Sequence, residues 1–167
     1  MSHTSNPSNT AEHPSSTQHL NTDANTPAAA QREIPTLYFD GACKNNPGPA
    51  AYGYVLYDAS GDELTTDSHH FADHATNNEA EYHAIEEGLR TALDAGISEL
   101  LIRGDSQLVI KQVRGEYDVN AENLTTLCNR VRALIEGFDG VVLDHVTRDN
   151  NHRADGLASA ALDNVKP

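Results

Sequence analysis

The sequence predicts an α/β domain on a five-stranded mixed sheet, three antiparallel strands followed by parallel ones, with flanking helices in the order βββαβααβα. Three observations predict it. Short β-type segments separated by turns run from Thr36 to Phe71, and the apolar period then changes from two to three-and-four at Thr76. Beyond that point every strand is joined to the next by helical sequence, and such crossovers make neighbouring strands parallel, with helices on both faces.

The first element is the apolar run Leu37, Tyr38 and Phe39, ending at Asp40. A Gly/Asn/Pro-rich loop follows, and the chain returns as an alternating strand from Ala50 to Tyr57, so Thr36 to Asp58 reads as a β-hairpin. Asp58-Ala-Ser-Gly61 makes the next turn, and Asp62 to Phe71, with mixed polarity, is a third strand suited to a sheet edge. Ala80, Ala84, Ile85, Gly88, Leu89, Ala92 and Leu93 mark the buried face of a helix from Thr76 to Ala95, capped by Thr76 or Asn77 and ended by Gly96. Glu99 to Ile102 is a short buried strand leading to Arg103-Gly-Asp105, and helices follow over Ser106 to Val113 and Asn120 to Ile135. Val141 to Val146 forms the fifth strand, Thr147 to Asn151 a loop, and His152 to Val165 the last helix.

A chain of 167 residues and 18.0 kDa accommodates one domain of ordinary size with a real core. Residues 1–33 are Ser, Thr, Asn, Pro, Ala, Gln and His with little that could be buried, and they read as a disordered polar tail in which His3, His13 and His19 are solvated; residues 34–167 form the folded domain. No apolar run reaches the roughly 18 residues that span a bilayer, and the N-terminus resembles neither a signal nor a transit peptide. Cys43 and Cys128 are too few and too far apart for a zinc ribbon or a disulfide framework, and a reduced cytoplasm is the expected location. Asp and Glu number 25 against 11 Lys and Arg, for a net charge of −14, with only Lys44, Lys111 and Lys166 as lysines. Such a surface repels phosphate backbones in dilute buffer. It suits either partners other than nucleic acid or a very salty cytoplasm, where the Debye length shrinks to about 3 Å at 1 M.

Against this acidic background four carboxylates stand out by position. Asp40 ends the first strand, Asp105 the fourth, Glu81 lies in the first turns of the long helix, and Asp155 opens the last helix. Asp40 also fits a plain turn-starting role, because Asp-Gly is a common turn dipeptide. If the first and fourth strands are parallel neighbours, however, Asp40 and Asp105 meet at the carboxyl ends, where open α/β sheets place their sites. Glu79 competes with Glu81. Residues two apart differ by about 200° around a helix, so only one faces the sheet; Glu81 shares its side with Ala84, Ile85, Gly88 and Leu89 and is the inward one, whereas Glu79 lines up with Tyr82, His83 and Glu86. A cluster of such acids calls for cations, and hard oxygen donors select Mg²⁺ or Mn²⁺; two ions about 3.5 to 4 Å apart suit phosphodiester hydrolysis.

The runs FDGACKNNPGPAAYG, TNNEAEYHAI, GDSQLVI and NNHRADGLASAA, in this order and spacing, resemble the motifs of ribonuclease H type 1 over about residues 36 to 165. The resemblance implies the ribonuclease H-like fold and an endonuclease that cuts the RNA strand of RNA–DNA hybrids, leaving 5′-phosphate and 3′-hydroxyl ends. It implies two metal ions held by Asp40, Glu81, Asp105 and Asp155. It places ribose 2′-hydroxyl contacts on Cys43, Asn46, Asn77, Asn78 and Gln107, polar uncharged groups suited to a hydroxyl that both donates and accepts. Thr76 matches a DNA-phosphate contact and serves equally as the helix cap.

Two departures from the family pattern are visible. The Lys-rich helix and loop that grips the hybrid in many bacterial members is reduced to Arg114-Gly-Glu-Tyr-Asp-Val119, and there is no Trp. The mobile His that often precedes the last Asp has three candidate replacements. Arg148, seven residues before Asp155, resembles archaeal-type members and is the choice here; His145 falls in the strand pattern, where a packed or cross-strand role is expected, and His152 at the helix start is expected to be solvated. The resulting expectation is a monomeric, salt-adapted ribonuclease H without membrane association. Double-stranded RNA as an additional or main substrate, a DNA junction, and a catalytically silent binding module are the alternatives.

Overall fold

Leu37 and Phe39 alternate with Tyr38 and Asp40, and this period-two pattern puts the two apolar residues on one face of a strand at 0 % exposure each. The computed structural model describes residues 33–165. The expected tail, apart from Glu33, and Lys166 lie outside them. Five strands, β1 (Thr36–Cys43), β2 (Gly48–Tyr57), β3 (Glu63–Ala75), β4 (Glu99–Gly104) and β5 (Gly140–His145), form one sheet in the order β3-β2-β1-β4-β5. β1 to β3 are antiparallel, and β1, β4 and β5 are parallel, as the pattern predicts. β3 is an edge strand, in keeping with its mixed polarity.

Helix α1 (Asn77–Asp94) packs on one face of β1 and β2, and α4 (His152–Asp163) on the other. The alternation along β2 demonstrates this: the Tyr54 hydroxyl lies 2.6 Å from Thr91 of α1, whereas the neighbouring Gly53 abuts the α4 backbone. Helices α2 (Gln107–Arg114) and α3 (Glu122–Ile135) complete the α1 side, where Leu89, Ile102, Val109, Ile110 and Val131 are fully buried. Gly115, at φ +81°, ends α2, and no helix stands between α2 and α3, so the basic extension is absent here as the sequence indicates. Among the described residues no helix is long and apolar enough to cross a membrane, and both cysteines are free thiols.

Three boundaries and one face differ from the sequence expectation. β1 runs three residues beyond Asp40, and β3 continues past Phe71 to Ala75, because the two strands share β2 as a partner over almost its whole length. The last helix stops at Asp163. The α1 row containing Glu79, Tyr82, His83 and Glu86 is not the solvent side: Tyr82 is 0 % and Glu86 2 % exposed. The cause is α3, whose Arg130 donates to both Glu86 oxygens at 2.8 and 2.9 Å while Arg90 adds a third bond at 2.9 Å. Burial pushes the Glu86 carboxyl upward, but these bonds hold it below the usual glutamate range.

Candidate active site

Strand register brings the first two carboxylates together. Phe39 pairs with Gly104 across the parallel β1–β4 ladder, so Asp40 and Asp105 are the next residues on adjacent chains. Two close backbone approaches bring in the others. A Cβ on Gly41 would lie 2.4 Å from the Glu81 nitrogen, so glycine there lets the start of α1 rest on β1. A Cβ on Gly53 would lie 2.6 Å from the Ala158 nitrogen and 2.8 Å from the Ala154 carbonyl, which lets α4 lie against β2. Asp155 sits in the first turn of α4, its N–H bonded to the Asn151 carbonyl at 3.0 Å.

Carboxylate oxygens of Asp40, Glu81 and Asp105 lie within 4.8 Å of one another. Asp40 and Glu81 are each only 4 % exposed. Burial, reinforced chiefly by the Asp105 charge, pushes the Asp40 carboxyl up to about 8. Burial also raises Glu81 well above its usual range, with Asp40 and Asp105 adding to the shift. One Glu81 oxygen, Oε2, is buried without a hydrogen-bond partner. Converging hard oxygens, mutual repulsion and an unsatisfied acceptor together fit a divalent cation of the Mg²⁺ or Mn²⁺ type. Asp155 is more open, with its side chain 30 % exposed, and Arg148 Nη2 stands 3.8 Å from its Oδ1.

A cavity of about 640 Å³ opens over these groups, lined by all four carboxylates together with Cys43, Asn77, His145 and Arg148. Cys43 donates its thiol to the Ala75 carbonyl at 3.1 Å. Asn46 does not line the cavity, but its Oδ1 accepts the N–H of Asn77, which does, at 3.0 Å. Thr76 is the α1 cap: its hydroxyl accepts from the Glu79 N–H at 3.2 Å, and Glu79 accepts the Thr76 N–H at 2.7 Å. This reciprocal capping box occupies Glu79 and leaves Glu81 for the cluster. Asn78 is half-buried in the same turn, and Gln107 is exposed at the start of α2, two residues after Asp105; neither lines the cavity. His145 is not packed. It ends β5 exposed and reaches across to the Asp105 carbonyl at 3.2 Å, so the cross-strand half of its expectation holds and the packed half does not. His152 is exposed on the first turn of α4, away from this cavity. Arg148 belongs to a short 3-10 turn, Arg148–Asn150, rather than an irregular loop.

The sequence reading passed over Asn151. It is 1 % exposed, and its Nδ2 donates to the Phe39 carbonyl at 2.9 Å. Asn150-Asn151 before a helix looks like any cap, and no periodicity distinguishes the second Asn.

A five-stranded sheet of this topology with a carboxylate cluster at the ends of β1 and β4 has counterparts among known proteins. The family model described as reverse transcriptase-like matches residues 38–161. A ribonuclease HI of Halobacterium salinarum is 46% identical over 128 residues, covering 77% of this chain and 64% of the relative, so the chain spans less than two thirds of that protein. The crystal structure of RNase H1 from the same halophilic archaeon superposes with a TM-score of 0.76 at 44% identity, over 79% of this chain and 99% of that one. LC11-RNase H1, solved in complex with an RNA/DNA hybrid, gives a TM-score of 0.73 at 31% identity, over 77% and 96% of the two chains. The chain belongs to the ribonuclease H family.

Proposed function

We propose that this protein is an endonuclease that hydrolyses the RNA strand of RNA–DNA hybrids, with residues 34–167 as the catalytic domain. The observation that carries the reading is the packing of Asp40, Glu81 and Asp105 within 4.8 Å of one another beside Asp155. A relative of the same fold solved on an RNA/DNA hybrid supports the substrate class.

Asp40, Glu81, Asp105 and Asp155 would hold two Mg²⁺ or Mn²⁺ ions. Such ions, when bound, activate water and stabilise the leaving oxygen in phosphodiester hydrolysis. Water adds to phosphorus, the bond to the ribose 3′-oxygen breaks, and that oxygen takes a proton, leaving 5′-phosphate and 3′-hydroxyl ends. The protein's own residues position the strand. Cys43 and Asn77 on the cavity wall, with Asn46, Asn78 and Gln107 outside it on the same loop and helix starts, would be neutral partners for 2′-hydroxyls, while Thr76 would present the α1 start to a phosphate of the DNA strand. Arg148, 80 % exposed over the cavity, neutralises phosphate and assists proton transfer at the leaving oxygen.

The net charge of −14 supports work at high ionic strength, where repulsion of the hybrid is screened. Cytoplasmic location and a monomeric state complete the reading. A labelled hybrid incubated with Mn²⁺ in molar KCl tests it, with double-stranded RNA and duplex DNA in parallel. The expected result is metal-dependent cleavage of the RNA strand of the hybrid, faster in molar than in dilute salt. Absence of metal-dependent RNA cleavage at every salt concentration would overturn the reading.

A further inference from the structure

We propose that Asn151 is a positioning residue that sets the spacing of the two halves of the carboxylate site; the inference rests on the reading of Asp40 and Asp155 as metal ligands. Asn151 joins three segments at once. Its side-chain amide donates to the Phe39 carbonyl, which immediately precedes Asp40 in β1, at 2.9 Å. Its backbone carbonyl accepts the N–H of Asp155 at 3.0 Å, and its own N–H donates to the Arg148 carbonyl at 3.0 Å. One residue therefore clamps the strand carrying Asp40 to the helical turn carrying Asp155 and to the 3-10 turn carrying Arg148.

Its burial distinguishes this from an ordinary helix cap. Asn151 makes no side-chain cap bond to α4, although it stands at the cap position. It is 1 % exposed, and its Oδ1 is buried without a partner. A half-satisfied amide is a poor choice for stability alone, because the orphan acceptor loses its hydration without compensation. The donor Nδ2, by contrast, is placed on the carbonyl of Phe39, in the peptide that leads into Asp40. Asp40 is otherwise located by the β1 ladders, and Asp155 by a helix that reaches the sheet through small residues at Gly53, Ala154 and Ala158. A helix seated on small residues can slide along its axis. The Asn151 tie removes that freedom where it matters, since misplacement of about 1 Å costs roughly a hundredfold in rate.

The test compares Asn151→Ala with Gln112→Ala, the latter removing a buried side chain that joins the Tyr82 hydroxyl to the Asp118 carbonyl away from the site. Melting temperature, Mn²⁺ binding by calorimetry without nucleic acid, and kcat and KM on a hybrid are measured for both and for the wild type. For Asn151→Ala the expected result is a Mn²⁺ affinity about tenfold weaker and a kcat about twentyfold lower, with KM within twofold. Gln112→Ala should lower the melting temperature while leaving Mn²⁺ affinity and kcat unchanged. Wild-type Mn²⁺ affinity and kcat in Asn151→Ala, below its melting temperature, would overturn the proposal. Should that variant not fold, NMR of the wild type decides: the Asn151 side-chain amide protons should be protected from exchange and shift on addition of Mg²⁺, and rapid exchange with no shift overturns the proposal. If the wild type binds Mn²⁺ and Asn151→Ala binds it about tenfold more weakly, but the wild type cuts no hybrid, the substrate reading fails and the positioning role stands.

Discussion

The site has a closed half and an open half, and they are built differently. Asp40 and Glu81 lie under backbone contacts so close that Gly41 admits no side chain, and each is 4 % exposed. Arg148, Asp155 and His145 stand at the mouth, with the Arg148 side chain 80 % and the Asp155 side chain 30 % exposed. The difference teaches how one cluster can serve two needs. The closed half stores electrostatic tension, two carboxyls raised by burial and by the neighbouring Asp105 charge, which cation binding would release. The open half carries little stored cost, since an exposed pair at 3.8 Å contributes almost nothing to stability, and it is free to rearrange around a substrate.

The sharpest way to break this contrast is Asp105→Asn. Removing the charge that helps push up Asp40 and Glu81 should abolish turnover, a loss of about a thousandfold or more, while making the metal-free protein more stable by about 1 kcal/mol. Hybrid cleavage at saturating Mn²⁺ together with urea unfolding measures both, and unchanged cleavage would remove Asp105 from the site.

Next in size is the pH dependence of the metal-free protein. Asp40 titrates near 8 when folded and near 3.8 when unfolded, so between those values the folded state binds more protons. Stability therefore falls as pH rises through that window, by about 1 kcal/mol per unit, and levels off above about 8. Glu86 and Glu79, held below their usual range, act oppositely, adding stability that is lost only in acid. Urea unfolding at pH 5 and pH 8 should thus show the metal-free protein weaker at pH 8, with saturating Mn²⁺ reversing the order. Equal stability at the two pH values without metal would contradict a protonated closed half.

The smallest expected effect belongs to the open half. Arg148→Ala should lower kcat about tenfold, with Mn²⁺ affinity and melting temperature unchanged, because its side chain is 80 % exposed and its ion pair long. A comparable loss in His145→Ala, with none in Arg148→Ala, would transfer the role to the residue that reaches the Asp105 carbonyl.

Much of the closed half was legible beforehand. Strand periodicity located Asp40 and Asp105, crossover logic made their strands parallel, and helix geometry chose Glu81 over Glu79, whose carboxylate the capping box then occupies. The reading failed where a second layer of packing intervened. Tyr82 and Glu86 were assigned to a competing face that proved buried, because α3 covers it and Arg130 supplies the charge that a buried glutamate needs. β3 proved longer than its polarity suggests, since an edge strand is held by its partner's hydrogen bonds and not by its own apolar content.

The sequence by itself determined the order of elements, the mixed character of the sheet, and the candidate carboxylates, because periodicity, capping and connection length are local properties written in neighbouring residues, whereas the neighbouring of β1 and β4 is fixed by the fold. Tertiary structure alone decided the spacing of those carboxylates, the upward shift of Asp40 and Glu81, the arrival of His145 at the mouth, and the tie from Asn151 to Phe39. These depend on distances between residues far apart in the chain, 112 positions in the last case, and on desolvation, which no local pattern records.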